Sequence, residues 1–278
     1  MDSIIADKQL TTAELKQECM KVLDFEQEDE NLNVFVGNKI LYHFQMENLC
    51  KTHRKNKKSL VEIVEDENEY EKLKQQVAKR SRTGTMANKL FECWRINSGS
   101  ISFFKMCNAT YMYHKYGATK VLDPTAGWGG RMLGAINQNI KYTGCDTNIN
   151  LKKGYDDMIE EFPHYKDNLK MIWKDALTID FEELDYDFVL TSPPYEDIEI
   201  YENFEYQNEA TFYNEFLIPL IEKCIKYNKG TYTCFNISPQ MYKKLTEKYG
   251  FMKWGHMPNI ADFEGIECGH VYYGLRIK

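Results

Sequence analysis

The stretch that decides the fold is Thr119-Lys120-Val121-Leu122-Asp123-Pro124-Thr125-Ala126-Gly127-Trp128-Gly129-Gly130-Arg131, followed by Met132-Leu133-Gly134-Ala135-Ile136. Residues 120–123 read as a short buried strand, the glycine cluster as a loop and the apolar run as a helix. Glycines let the backbone adopt positive φ and approach a ligand closely, and the helix N-terminus behind them offers unpaired N–H groups. A second strand, Lys141-Tyr142-Thr143-Gly144-Cys145, ends in Asp146. A carboxylate in that position is placed to accept both hydroxyls of a ribose. Strand, glycine loop, helix, strand and acid, in that order, point to a nucleotide-type site.

Further along, Asp187-Phe188-Val189-Leu190-Thr191-Ser192-Pro193-Pro194-Tyr195 reads as a strand that ends in a Ser-Pro-Pro-Tyr turn. Two consecutive prolines fix φ and remove two backbone donors, so the carbonyls of Ser192 and Pro193 lack local N–H partners and can point outward as acceptors. Tyr195 adds an aromatic face. A planar group bearing an amine has two N–H donors and a ring, and the turn offers a hydroxyl, a free carbonyl and a stacking surface. Pro-Pro-Tyr also occurs in polyproline-type ligand segments and in ordinary turns. Its position downstream of the glycine loop and Asp146 is what favours a chemical role. Phe188, inside the strand, reads as core.

From residue 120 the chain alternates strands and helices. The strands are expected at 120–123, 141–146, 169–173, 186–191, 230–236, 250–257 and 270–277, and the helices near 130–138, 149–162, 211–228 and 239–249. This alternation implies an α/β fold with a seven-stranded, mainly parallel sheet, helices on both faces and ligands at the carboxyl ends of the strands. Only Asn259 to Gly269 separate the last two strands, with no helical pattern, so they should pair antiparallel.

The glycine loop and the proline turn together resemble the S-adenosylmethionine-dependent amino-methyltransferases that modify the exocyclic nitrogen of adenine or cytosine in DNA. Asp123 to Arg131 looks like that family's cofactor loop, and Thr191 to Tyr195 like its catalytic tetrapeptide with the preceding strand residue. Glu196 to Tyr201 is similar to viral and phage members. The resemblance covers roughly residues 84 to 278 and implies a class I, Rossmann-like methyltransferase domain there. Residues 1–83 form an N-terminal, mostly helical extension, a candidate for recognition or partner binding.

The resemblance also implies roles. Ser192 Oγ and the Pro193 carbonyl would accept the two amine N–H groups, Pro194 would keep the turn rigid and Tyr195 would stack on a target base flipped out of DNA. For the cofactor, S-adenosyl-L-methionine, the backbone from Thr125 through Ala126 and Gly127 to Gly129, entered by Pro124, would face the methionine part, with Asp123 near its ammonium. Asp146 would take the ribose and Asp175 the adenine amino group, with Ile172 or Trp173 flanking the ring. Phe104, in Ser102-Phe103-Phe104-Lys105, is the candidate for contact with the methionine end, and Trp128 either lines the pocket or packs against preceding helices. Serine at the first tetrapeptide position leans toward cytosine N4, whereas the order of the two segments leans toward adenine N6, so the target base stays open. Similar turns serve RNA bases and glutamine side-chain amides, and a non-catalytic accessory subunit is a reading of another class.

Bulk properties narrow the field. The 278 residues are 43% hydrophobic and 14% aromatic, enough for a substantial core. No stretch approaches a membrane span and Met1-Asp2-Ser3-Ile4-Ile5 lacks the basic start of a secretion signal. The eight cysteines contain no Cys-x-x-Cys pair, which fits reduced thiols in a cytoplasmic or nuclear-type compartment and neither a zinc site nor a disulfide framework. The six histidines show no metal spacing, so no metal is expected.

The net charge is −7, yet residues 81–120 hold six Lys and Arg against one acid. That block lies immediately before the glycine loop and could form one wall of a substrate channel. The acidic balance elsewhere suits a protein partner or a homo-oligomer. In the N-terminal part, Thr11 with Glu14 and Ser59 with Glu62 are capping boxes that start helices. Asp24 to Asn33 reads as a loop, Val34 to Tyr42 as a hairpin and Lys51 to Lys58 as a basic loop able to touch phosphates.

Overall fold

The computed structural model describes residues 1–26, 34–80, 83–98, 102–195, 199–200, 208–230, 232–248, 263–265 and 271–276. Among the described residues, seven helices precede the main sheet: α1 Asp2–Ala6, α2 Thr12–Leu23, α3 Asn38–Lys51, α4 Leu60–Glu65, α5 Glu67–Ala78, α6 Met86–Ser98 and α7 Met106–Tyr116. Both expected capping boxes are present: Glu14 N–H donates to Thr11 Oγ1 at the start of α2, and Glu62 N–H to Ser59 Oγ at the start of α4. The expected hairpin over Val34 to Tyr42 is replaced by the start of α3. Gly37 takes φ 85° as its N-cap, and the apolar residues beyond it fall at helical spacing, with Ile40, Leu41, Met46, Leu49 and Cys50 buried. Asp24 to Asn33 lies mostly outside the described residues.

The Lys51 to Lys58 run is also more than a loop. His53–Arg54 forms a short strand, β1, paired antiparallel with Glu199–Ile200 (β6), so the N-terminal part reaches the segment just after the proline turn.

The main sheet contains β2 Lys120–Asp123, β3 Lys141–Cys145, β4 Leu169–Ile172, β5 Phe188–Thr191, β7 Tyr232–Ile237, β8 Phe263–Gly265 and β9 Val271–Arg276, in the order β4-β3-β2-β5-β7-β9-β8. The first five of these strands are parallel, whereas β9 is antiparallel to both β7 and β8. Between β2 and β3 runs α8 Gly130–Asn137, and between β3 and β4 runs α9 Lys152–Glu160. After β5 come α10 Glu209–Thr211, a π-helical turn Phe212–Leu217 and α11 Ile218–Tyr227, and after β7 comes α12 Pro239–Lys243. The strand order reverses between β2 and β5, which makes their carboxyl ends the switch point where a doubly wound sheet opens a crevice.

A final antiparallel pair is present, with β8 at the edge of the sheet beside β9. The expected strand at 250–257 lies outside the described residues, and β8 falls within the stretch read as the connecting loop. A three-residue strand is too short for alternation to reveal.

Side-chain alternation along the strands builds two cores. Val121, Phe188 and Leu190 face one side, Leu122 and Val189 the other, as the two-residue period of a strand requires. The first face is covered by α7, α8 and α9, and the helices preceding residue 84 pack on these, α2 against α8 and α3 against α9: Ile4, Leu15, Val22, Leu41, Leu49 and Leu73 belong to the same buried cluster as Val121 and Leu133. Polar ties reinforce the contact. Asn137 Nδ2 donates to the carbonyls of Val22 and Phe25 (2.9 and 2.8 Å), and Gln45, fully buried, donates to Leu151 O at 3.3 Å. The second face is covered by the π-turn, α11 and α12 through Phe212, Leu217, Ile221 and Met241. Phe188 is 1% exposed, the core residue expected.

Candidate active site

The register of β2 and β5 pairs Val121 with Phe188 and Leu122 with Val189, so the glycine loop leaves the sheet beside Thr191. Thr191 fastens the two segments together. Its Oγ1 accepts from Thr125 N–H at 3.1 Å, lies 2.6 Å from Thr125 Oγ1 and donates to Asp123 Oδ1 at 2.8 Å. Asp123 Oδ2 also accepts from Arg131 Nε (2.7 Å) and Tyr142 OH (2.7 Å). Arg131 in turn donates to Thr125 O and lies with its guanidinium 4.9 Å from the Phe104 ring centre.

Asp123 and Arg131 are 0% and 4% exposed. Burial by itself would lower the guanidinium pKa, but the adjacent Asp123 carboxylate outweighs it and holds the group above its ordinary value. Asp123, expected near a cofactor ammonium, is held in this network at the base of the loop. Its carboxylate is enclosed by three donors and braces the loop.

The loop and the turn line one cavity of about 150 Å³, with Thr125, Ala126, Gly127 and Trp128 on one side and Ser192, Pro193 and Tyr195 on the other. Ser102 to Lys105 and Asn108, from the basic block, also line it. Phe104 is held there because Gly130 has no side chain: a Cβ on Gly130 would lie 1.9 Å from Phe104 O. Gly127 has φ 59°, and a Cβ placed on it would meet nothing nearer than Thr125 O at 4.0 Å. The backbone there is bare toward open space, a cradle suited to a ligand. Gly129 has φ 100° and caps α8, with Met158 and Leu41 packed against it. Pro124, Gly129 and Pro194 lie outside the cavity lining and shape the backbone that supplies it. Trp128 lines the cavity and packs its ring 5.8 Å from that of Phe103 in the segment between α6 and α7.

Asp146 directly follows β3 and is joined to the loop by Gly127 N–H, which donates to its Oδ2 at 2.7 Å, while Asn148 N–H donates to Oδ1 at 2.9 Å. Burial pushes its pKa up from 3.8 to about 6, against the pull of the two N–H donors. Each carboxylate oxygen keeps lone-pair capacity for a further donor. Asp175 follows β4, two strands from β2, and its Oδ1 accepts from Leu177 N–H at 2.8 Å. Trp173 packs edge-on to Tyr155 at 5.6 Å.

One residue at the site has no counterpart in the sequence reading. Asn236, near the end of β7, is 5% exposed and lines the cavity. Its Nδ2 donates to Ser192 Oγ at 3.1 Å, while its Oδ1 is buried with no hydrogen-bond partner among the described residues. Leaving such a carbonyl unpaired costs about 1–3 kcal/mol. In sequence, a polar residue near the carboxyl end of an otherwise apolar strand is the only signal for it. Thr191 and Arg131 stood inside the quoted motifs without assigned roles.

Among the described residues, no cluster of three or more His, Cys, Asp or Glu is arranged to hold a metal ion, and no helix is long and apolar enough to cross a membrane. The seven described cysteines are buried free thiols.

The parallel sheet, its reversal at β2 and β5, its antiparallel last strand and the helices on both faces define a class I, Rossmann-like fold. No protein-family model matches the chain, and no curated protein does. Among solved structures, it is similar to a METTL16 methyltransferase domain (12% identity over 62% of this chain and 81% of that one, TM-score 0.46). It is also similar to an S-adenosylmethionine-dependent O-methyltransferase from Thermotoga maritima (9%, 66% and 69%, 0.44). A third is an RNA methyltransferase from Salinibacter ruber in complex with S-adenosyl-L-homocysteine (14%, 64% and 94%, 0.40).

Proposed function

We propose that this chain is an enzyme that transfers a methyl group from S-adenosyl-L-methionine to the exocyclic amino group of a DNA base, adenine or cytosine. The observation that carries this reading is the convergence of Ser192, Pro193 and Tyr195 with the bare backbone of Thr125 to Gly127 on one cavity at the switch point of the sheet. The cofactor is S-adenosyl-L-methionine, whose sulfonium supplies an electrophilic methyl group. Gly127 offers it an unobstructed backbone, Asp146 the acceptor for ribose hydroxyls and Phe104 an apolar contact.

The other half of the site handles the amine. Its nitrogen is a poor nucleophile because the lone pair is delocalised into the ring. Ser192 Oγ accepts one amine N–H and the Pro193 carbonyl the other, which favours tetrahedral nitrogen and stabilises the positive charge that develops there. Tyr195 stacks on the base after it leaves the duplex, offsetting an unstacking cost of a few kcal/mol. Bracing by Thr191 keeps the amine half and the loop half in fixed relation. Holding two reactants at attack distance contributes about 7–11 kcal/mol to such a displacement.

The test is incubation with methyl-labelled cofactor and DNA, RNA or protein, followed by identification of the labelled nucleoside or side chain. N6-methyladenine or N4-methylcytosine in DNA is the expected product. Ser192→Ala and Tyr195→Ala should each lose most of the transfer. Label found only in RNA or in a glutamine side chain would move the substrate, and no label in any of them would remove the enzymatic reading.

A further inference from the structure

We infer that Asn236 receives the target amine alongside Ser192, its buried Oδ1 accepting one of the amine's two N–H donors. The inference rests on the amine-binding reading of the cavity. Register places the residue: β5 and β7 are parallel with Thr191 opposite Phe235, so the next residues along, Ser192 and Asn236, are neighbours at the sheet's carboxyl edge. The carboxamide is used at one end only. Nδ2 donates to Ser192 Oγ at 3.1 Å, and Oδ1 is buried and without a partner beside the cavity that both residues line.

The geometry has two consequences. Accepting from Nδ2 occupies one lone pair of Ser192 Oγ and leaves a second, so Asn236 orients the serine as an acceptor. Buried acceptors that lack a donor are rare, and a ligand N–H is the group that would satisfy this one. Ser192 Oγ keeps the acceptor role proposed for it and Asn236 Oδ1 takes the second amine N–H in place of the Pro193 carbonyl, so the two side chains form a pair of acceptors matched to a two-donor group. The pair also discriminates, because a base carrying a carbonyl oxygen in place of the amine would set acceptor against acceptor.

The test loads the full chain with S-adenosylhomocysteine and measures binding of single-stranded oligothymidylates with one central adenine, cytosine, hypoxanthine or uracil. Wild type should prefer each amine-bearing base over its oxo counterpart by about tenfold, the effect of one hydrogen bond of ordinary strength. Asn236→Leu should reduce that preference to within about twofold with S-adenosylhomocysteine affinity unchanged. Asn236→Asp, which keeps an acceptor and the side-chain volume, should retain it and serves if the leucine variant does not fold.

Three results overturn the inference: no preference in wild type, a preference for hypoxanthine and uracil, which would mean that Nδ2 faces the ligand, or full amine preference in Asn236→Leu. Methyl transfer measured in parallel separates the two readings. Amine preference that depends on Asn236 without transfer to nucleic acid refutes the proposed function and leaves this assignment standing. Transfer with an unaffected leucine variant does the reverse.

Discussion

At the scale of single residues, two carboxylates a strand apart do opposite work. Asp123 is enclosed by Arg131, Tyr142 and Thr191 and is structural. Removing one partner of a buried pair leaves the other charge uncompensated, at a cost of about 3–5 kcal/mol. Asp123→Ala should therefore lower the thermal midpoint sharply, read by circular dichroism. Asp146 instead keeps acceptor capacity, and its pKa is raised to about 6 by burial. The folded chain thus retains a proton that the unfolded chain releases between pH ~4 and ~6, so this group's contribution to stability falls as pH rises through that window and is constant above it.

With Asp146 as the proposed acceptor of the ribose hydroxyls, ligand binding runs the other way, because that role needs the ionised form. S-adenosylhomocysteine should bind about tenfold more weakly at pH 5 than at pH 7 by calorimetry. In Asp146→Asn affinity should be low and nearly flat with pH. Asp146 was legible in the sequence because an acid after the second strand is a positional signal. The enclosure of Asp123 was not, since its partners Tyr142 and Thr191 lie on two other strands and meet it only through sheet register.

At the scale of elements, the glycine loop was legible almost residue by residue, as were six strands within two residues of their ends. What escaped were elements defined by partners more than by pattern: β1 and β8 are two and three residues long and exist because a neighbour supplies the ladder. The helix α3 escaped for a different reason, because β-branched and aromatic residues near Gly37 suggest a hairpin until the following turn commits the segment to a helix. Gly130 shows how one element holds another. Since a Cβ there would fall 1.9 Å from Phe104 O, Gly130→Ala must displace the 102–105 segment from the cavity wall. The expected outcome is at least a tenfold loss of S-adenosylhomocysteine affinity, about 1.4 kcal/mol. Gly117→Ala is the control: its φ is 62° and no atom lies within 4 Å of the added Cβ. It should cost about 1–2 kcal/mol of stability and leave binding alone.

At the scale of the whole molecule, the first eighty residues looked separable because the family resemblance stops near residue 84. They pack on the helices that cover one face of the sheet, α2 on α8 and α3 on α9, with Ile4, Leu15, Val22, Ile40, Leu41 and Leu60 in the cluster that also contains Val121, Met132 and Phe188. Each fully buried aliphatic side chain is worth about 1.5–3 kcal/mol relative to exposure, so losing this layer removes an amount comparable with the usual 5–15 kcal/mol of net stability. Deleting residues 1–83 should therefore abolish the cooperative thermal transition and expose apolar surface that binds anilinonaphthalene sulfonate. A fragment 84–278 that melts cooperatively near the full-length midpoint would show instead that the extension is an appendage. The distinction bears on catalysis, because β1 of the extension pairs with β6 directly after the proline turn. If the extension is integral, the turn and the loop are held by one continuous core, and substitutions in that core, such as Leu41→Ala against Gly129, should weaken cofactor binding along with stability.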